Sequence, residues 1–248
     1  MKRFLVMALM VLPVSAFAAR DVQVKMLPLQ KGLYEEVECE MAGEKSDHHL
    51  FCVTDCDVSY PFVTGIEHQA NERALNRKWH QKAQEMSCEG AQVAIEIDEK
   101  SPSELSHGYS VTFNDGELLG LTQDHYWYGA GAAHGMYSTN GIIIDSKWGK
   151  ELGTGDILDI KKLDALNAYL NEQISKDERT FENLRDQAGD AMPVYISDSK
   201  REFTLVLDSE KGLYALFGVY QVGPYASGEI DYTIPREFIA HKHILKIL

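Results

Sequence analysis

Residues 109–128 read YSVTFNDGELLGLTQDHYWY. Two runs rich in apolar and aromatic residues, 109–113 and 117–128, flank Asn114-Asp115-Gly116. An Asp-Gly turn between such runs is a strong hairpin signal, because glycine takes the positive φ of the turn without a steric cost. The same reading extends outward. Residues 136–145 form a further strand after the glycine-rich stretch 129–135. Residues 203–207, 213–222 and 229–234 are the last strands, with turns at Lys211-Gly212 and at 223–228. Upstream, residues 21–63 read as strands. Residues 33–40 and 49–60 flank the polar turn 42–47, and Pro61 is expected to end the second of them. Residues 91–97 alternate, with Val93, Ile95 and Ile97 on one face.

Two segments carry helical periodicity instead. Ile66, Ala70, Ala74, Leu75, Trp79, Ala83 and Met86 recur near helical spacing over 66–86. Leu163, Leu166, Leu170 and Ile174 do the same over 161–175, and the pattern reaches on to Phe181 and Leu184. The strands pair as hairpins, so the expected fold is α+β: antiparallel sheets built from hairpins, with two main helices packed on them. Regular alternation of strand and helix, as in a dinucleotide fold, is absent.

The chain has 248 residues, 24 Lys+Arg against 38 Asp+Glu, and a net charge of −14. That charge argues against nucleic acid and anionic membrane as partners. The first residues, MKRFLVMALMVLPVSAFAA, carry a positive pair (Lys2, Arg3), a short apolar run and Ala16-Phe17-Ala18. This is the pattern of a secretory signal peptide over residues 1–18, and it places the protein in the periplasm. The apolar run is shorter than the roughly 20 residues of a membrane-spanning helix, and no membrane span is expected. Removal of Lys2 and Arg3 with the signal would take the charge from −14 to −16. The rest divides at Ser101-Pro102-Ser103, the one plausible linker, into segments 19–100 and 101–248.

The four cysteines, Cys39, Cys52, Cys56 and Cys88, all lie after the signal. An even count in an exported chain reads as two disulfides. Three pairings are open, of which the hairpin around 42–47 favours Cys39–Cys52 with Cys56–Cys88. The second ligand pair of a zinc site is missing, and there is no Cys-x-x-Cys redox motif. No metal, cofactor or catalytic set is expected. Ser199 and Ser209 lack a nucleophile-elbow context, and His48-His49 and His241-x-His243 read as surface or tail histidines.

The C-terminal half carries Tyr126-Trp127-Tyr128, then Gly129-Ala-Gly131-Ala-Ala-His134-Gly135, then Gly149-Lys-Glu-Leu152 before Asp156-Ile-Leu158. Near the end stand Tyr220-Gln-Val-Gly223-Pro-Tyr225-Ala-Ser-Gly228 and Tyr232-Thr-Ile-Pro235. This pattern resembles the C-terminal domain shared by RsiV-type anti-sigma factors and PdaC-type peptidoglycan deacetylases. Tyr60-Pro61, followed by a helix containing Asn71, resembles the companion domain of that family. The resemblance covers about residues 30–240. It implies a binding region, because in RsiV-type proteins this part binds lysozyme and in PdaC-type proteins it accompanies a separate catalytic domain. Neither the sigma-binding segment nor the deacetylase domain is recognised in the sequence, so a free-standing exported binding domain is expected, not an enzyme.

Two loops are candidates for that binding. Tyr126, Trp127, Tyr128 and His134 sit at or after a strand end, where glycines let the backbone approach another surface closely. Pro224 stiffens the loop that presents Tyr225, a large amphipathic contact at low entropy cost. The leading expectation is recognition and inhibition of a basic lysozyme-like hydrolase or a wall-degrading toxin, toward which an acidic chain would be steered. The alternative is a peptidoglycan or glycan module in which the same aromatics stack on sugar rings. An enzyme with an unrecognised site remains the third class, but no acid–base–nucleophile set can be assembled.

Overall fold

The Asp115-Gly116 turn forms within the main sheet. Gly116 takes φ 83°, and the Asp115 carboxylate accepts the amides of Glu117 and Leu118 at 2.9 and 2.8 Å. The computed structural model describes residues 21–33, 50–51, 55–86, 93–94, 104–128, 132–182, 184 and 203–248. Their strands are β1 (Gln23–Leu33), β2 (Leu50–Phe51), β3 (Asp55–Thr64), β4 (Val93–Ala94), β5 (Glu104–Asn114), β6 (Leu118–Tyr128), β7 (Met136–Asp145), β8 (Lys150–Glu151), β9 (Thr204–Asp208), β10 (Gly212–Phe217) and β11 (Ile230–Thr233). Their helices are α1 (Gln69–Glu85), α2 (Thr154–Ile157), α3 (Leu163–Lys176) and α4 (Lys242–Ile247). The expected α+β fold is borne out.

One sheet runs β1-β3-β5-β6-β7-β8, and a second runs β11-β10-β9. Every pairing in both is antiparallel except β3 with β5. β2 and β4 form a separate two-residue pair. Strands from both sides of residues 101–103 therefore share one sheet. The signal segment 1–18, the linker 101–103, the turn 42–47 and Cys39, Cys52 and Cys88 lie outside the described residues. Cys56 is described only as backbone, opposite Gly32 and Leu105, so the disulfide pairing lies outside them too. Among the described residues, no helix is long and apolar enough to cross a membrane.

Pro61 does not end its strand; β3 continues to Thr64 and pairs with β1 throughout. The reason is backbone alternation. The Val63 amide and carbonyl point away from β1, to the Asn76 side chain of α1, at 2.8 Å each. Pro61, two residues earlier, faces the same way. Its missing N–H is therefore turned toward the edge where β3 has already parted from β5, whose pairing stops at Val58. Proline is tolerated at such an edge.

α1 packs on one face of the main sheet. Leu75 and Trp79 bury against Val63, Tyr109, Leu119, Leu121 and Ile144. The other face carries the larger core, where α3 (Leu166, Leu170, Ile174) meets Leu118, Ile143, Leu207 and Phe217. α3 stops at Lys176 instead of running on to Leu184. The Thr180 hydroxyl sits 2.9 and 2.7 Å from the carbonyls of Ile174 and Asp177, and the chain turns so that the Phe181 amide donates to Val222. Leu184 still reaches the same core.

The two sheets meet where β9 crosses β7, β6 and β5. The Gly141 amide donates to the Thr204 hydroxyl at 2.8 Å, the Thr112 hydroxyl donates to the Leu207 carbonyl at 2.7 Å, and the Ser209 amide donates to the Thr112 carbonyl. The crossing is possible because positions 120 and 141 carry no side chain. A Cβ at Gly141 would lie 1.9 Å from the Leu205 carbonyl oxygen, and one at Gly120 would lie 2.6 Å from that of Leu207. Both obstacles are backbone, so neither can swing aside.

Gly141→Ala should therefore destabilise the chain by about 2–4 kcal/mol, at or beyond the upper end of ordinary overpacking. Gly155→Ala, whose added Cβ would make only ordinary contacts, should stay within about 0.5 kcal/mol of the parent. Urea denaturation midpoints of the two variants measure the difference.

Candidate functional site

β6 sorts its side chains between the two cores. Leu119 and Leu121 face α1, and Leu118 faces the α3 core. By alternation Tyr126 and Tyr128 lie on the β9 side, and Trp127 lies on the α1 side, 37% exposed. The three aromatics therefore do not act as one surface. Tyr126 packs its ring over Gly135, where an added Cβ would lie 2.3 Å from its hydroxyl.

His134 and Tyr225, read as parts of two separate loops, come together. Their rings stack at 3.7 Å between centroids with 20° between planes. Tyr137 meets Tyr225 edge-on at 5.8 Å, and Tyr220 lies 5.8 Å from it on another side. His134 is fixed at both nitrogens: Nδ1 is 3.0 Å from the Gly135 carbonyl and Nε2 is 3.0 Å from the Tyr220 hydroxyl. The result is a platform of one imidazole and three phenol rings, bordered by exposed Pro224. Tyr128 makes no ring contact with it among the described residues.

The loop that presents Tyr225 is held from several sides. Gln221 closes a turn by accepting the Gly218 amide at 2.6 Å. Within that turn Tyr220 has φ 64°, a non-glycine residue in the left-handed region, and is 48% exposed. Val222 is buried, and Gly223 presses so closely on the Arg179 carbonyl that a Cβ would lie 2.6 Å from it. Pro224, at φ −66°, leads into a single 3-10 turn over Tyr225–Ser227. The Ser227 hydroxyl donates to the Arg179 carbonyl at 2.7 Å. Arg179 is itself tied to Asp177, and this guanidinium is the main cause that draws the Asp177 carboxyl down to about 2, against some burial. Glu229 accepts the Thr139 amide at 2.8 Å, and burial pushes its carboxyl up.

The other motif residues are structural ties. Asn71 donates to the Trp148 carbonyl at 2.6 Å, and Gly149 (φ 61°) leaves room for Asn71 and Ile66. His68 stacks on Trp148 at 4.3 Å. His241 caps α4. His243 is no loose tail residue: it bridges Asp115 at 2.6 Å and Glu117 at 2.8 Å, clamping α4 to the hairpin turn. Among the described residues, no group of three or more His, Cys, Asp or Glu converges as a metal site.

A second polar cluster lies under α1. His107, 1% exposed, has no hydrogen-bond partner at either nitrogen. His125 Nδ1, the Tyr109 hydroxyl and Trp79 Nε1 are also buried without partners. Burial first, then the charges of His125 and Lys82, push His107 down to about 4. Burial also lowers His125 and raises Tyr109 to about 12.

Tyr220 and Tyr137 are platform members that no sequence signal marks: Tyr220 lies within Tyr220-Gln-Val-Gly223, but a positive φ at tyrosine leaves no trace in the sequence.

Residues 51–137 match the family model described as Deacetylase PdaC. Residues 155–237 match the model described as Protein of unknown function (DUF3298). The crystal structure of a DUF3298 family member from Bacteroides fragilis superposes with a TM-score of 0.62 at 15% identity, over 92% of this chain and 98% of that one. A DUF3298 family protein from Pseudomonas aeruginosa gives a TM-score of 0.50 at 14% identity, over 92% and 97%. At such identities the likeness shows the fold. No curated protein matches the chain. The resemblance to a PdaC/RsiV-like family is thereby borne out.

His107 is held neutral in the fold, with a lowered pKa, while its unfolded value is about 6.5. Its contribution to stability is complete above about 6.5 and is lost as pH falls toward 4. His107→Phe, of similar shape and without the orphaned nitrogens, should shrink the stability loss between about pH 7.5 and about pH 5 in urea titrations. A loss unchanged in that variant would show that His107 does not carry it. Tyr220→Asn should keep stability within about 1 kcal/mol, because Asn tolerates the left-handed region, while removing the hydroxyl that fixes His134. Thermal unfolding and the His134 ring resonances read these two effects separately.

Proposed function

We propose that this chain, which joins a PdaC-type segment to a DUF3298 segment, is an exported periplasmic binding protein that recognises and inhibits a lysozyme-like peptidoglycan hydrolase. The observation that carries this reading is the His134–Tyr225 stack with Tyr137 and Tyr220 around it. A rigid group of aromatic side chains offers large contact area and has little freedom left to lose on binding. Backbone strain at Tyr220 is of the kind that clusters at binding sites, here in the exposed rim of the platform.

Charge supports the same reading. A chain of −14 attracts basic proteins over a distance set by the Debye length, about 10 Å at 0.1 M salt. The similarity to RsiV-type proteins, whose corresponding region binds lysozyme, points to the same class of partner. The deacetylase description belongs to the PdaC family as such; in this reading the chain binds and does not turn over a substrate.

Isothermal titration with a basic lysozyme at low and high salt tests the proposal, together with a lytic assay. Nanomolar to micromolar binding that weakens with salt, with loss of lysis, is expected. Tyr225→Ala should weaken it by about thirtyfold, the effect of a hot-spot residue worth about 2 kcal/mol. No heat and no loss of lysis at either salt concentration would sink the reading. Strong retention on purified sacculi that survives Tyr225→Ala would instead favour wall binding through another surface.

A further inference from the structure

On the face of the main sheet opposite to β9, a groove of about 680 Å³ runs between α1 and β3. Its floor is aromatic: Phe62 is 39% exposed, and Tyr60 packs edge-on against His80 at 5.0 Å. Its α1 wall carries Arg73 and Arg77, one helical turn apart, with Gln84 further along. The groove exists because β3 leaves β5 after Val58, so that among the described residues the edge of 59–64 has no neighbouring strand.

That edge cannot take a peptide as an added strand. Pro61 has no N–H to offer on it, and Asn76 already occupies both the amide and the carbonyl of Val63. Recognition in the groove must therefore come from side chains.

The charges in the groove are distinctive for this molecule. The other α1 cations are engaged, Lys78 with Glu151 and Lys82 with Gln123. Arg73 and Arg77 have no hydrogen-bond or ion-pair partner among the described residues. The acid at the rim, Glu72, accepts the Ile66 amide at 3.0 Å. Two guanidiniums unpaired among the described residues thus stand on a chain with 38 acids. Arginine forks suit planar carboxylates, aromatic faces suit the apolar face of a sugar ring, and amides pair with hydroxyls. A volume of this size lies within the usual range for small-ligand sites, about 300–1,000 Å³.

We propose that this groove binds a carboxylate-bearing sugar, with Arg73 and Arg77 on the carboxylate, Phe62 under the ring and Gln84 at a hydroxyl. The site is separate from the aromatic platform and does not depend on its partner. An acidic peptide is the competing occupant, set aside because the strand edge is closed and the floor is aromatic.

The test is a titration of the isotope-labelled full chain, followed by NMR, with three probes. The first is a hyaluronan tetrasaccharide, in which glucuronate alternates with N-acetylglucosamine. The second is the uncharged N-acetylglucosamine tetramer, and the third is a tetrapeptide of Asp and Glu. Saturable shifts at Phe62, Arg73 and Arg77 with the first probe alone are expected. The double variant Arg73→Gln, Arg77→Gln should weaken that binding at least tenfold with an unchanged thermal midpoint. Tyr225→Ala should leave it intact, which separates this site from the platform. Equal binding of the uncharged tetramer, equal binding of the peptide, or no shift in the groove with the first probe would each overturn the proposal.

Discussion

The fold depends on a backbone-to-backbone approach. β9 can lie across β7, β6 and β5 only because Gly120 and Gly141 present bare backbone beneath it. The contact then becomes specific through Thr204, Thr112 and Ser209, whose hydrogen bonds tie β9 to β7 and to β5. Everything C-terminal follows from that docking. β9 carries β10, β10 carries β11, and the loop bearing Tyr220 and Tyr225 connects the last two strands. A side chain at position 141 would lift the second sheet and with it one half of the platform.

The platform is thus assembled across the two sheets. His134 and Tyr137 come with β7 of the first sheet, and Tyr220 and Tyr225 come with the β10–β11 connection of the second. Its rigidity has a separate source in the end of α3. Asp177 holds Arg179, and the Arg179 carbonyl takes the Ser227 hydroxyl. The Phe181 amide donates to the Val222 carbonyl. The break in the helix that the apolar pattern did not foretell is therefore what supplies the backbone groups that brace the loop. On the opposite face, α1 is fixed by Asn71 to the Trp148 carbonyl and by Asn76 to β3, which leaves the groove open between them.

Some of this was legible because it is local. The Asp115-Gly116 turn needs only its own residues, and the strand read over 136–145 after the glycine-rich stretch forms with those boundaries. The apolar phases of α1 and α3 name the residues that bury. Pro61 was misleading for a physical reason: the rule concerns a missing donor, and whether the donor is needed depends on which neighbour the strand has there. The α4 clamp was equally hidden, since His243 finds Asp115 at a separation of 128 residues. Within the site, Tyr225 and His134 could each be nominated from glycine- and proline-bordered loops. Their stacking, and the bond from His134 to Tyr220 across 86 residues, could not.

Local rules were enough for the α+β class, the Asp115-Gly116 turn, the amphipathic faces of the two main helices and the acidic character of the chain. These depend on propensity, period and composition, which act within a turn or two of the chain. Tertiary packing settled which aromatics share a surface and, among the described residues, which arginines are left without a carboxylate and which polar atoms are buried without partners. Those outcomes depend on the crossing of β9 over two glycines and on the parting of β3 from β5. Both are set by long-range packing, in which each residue's neighbours come from remote parts of the chain.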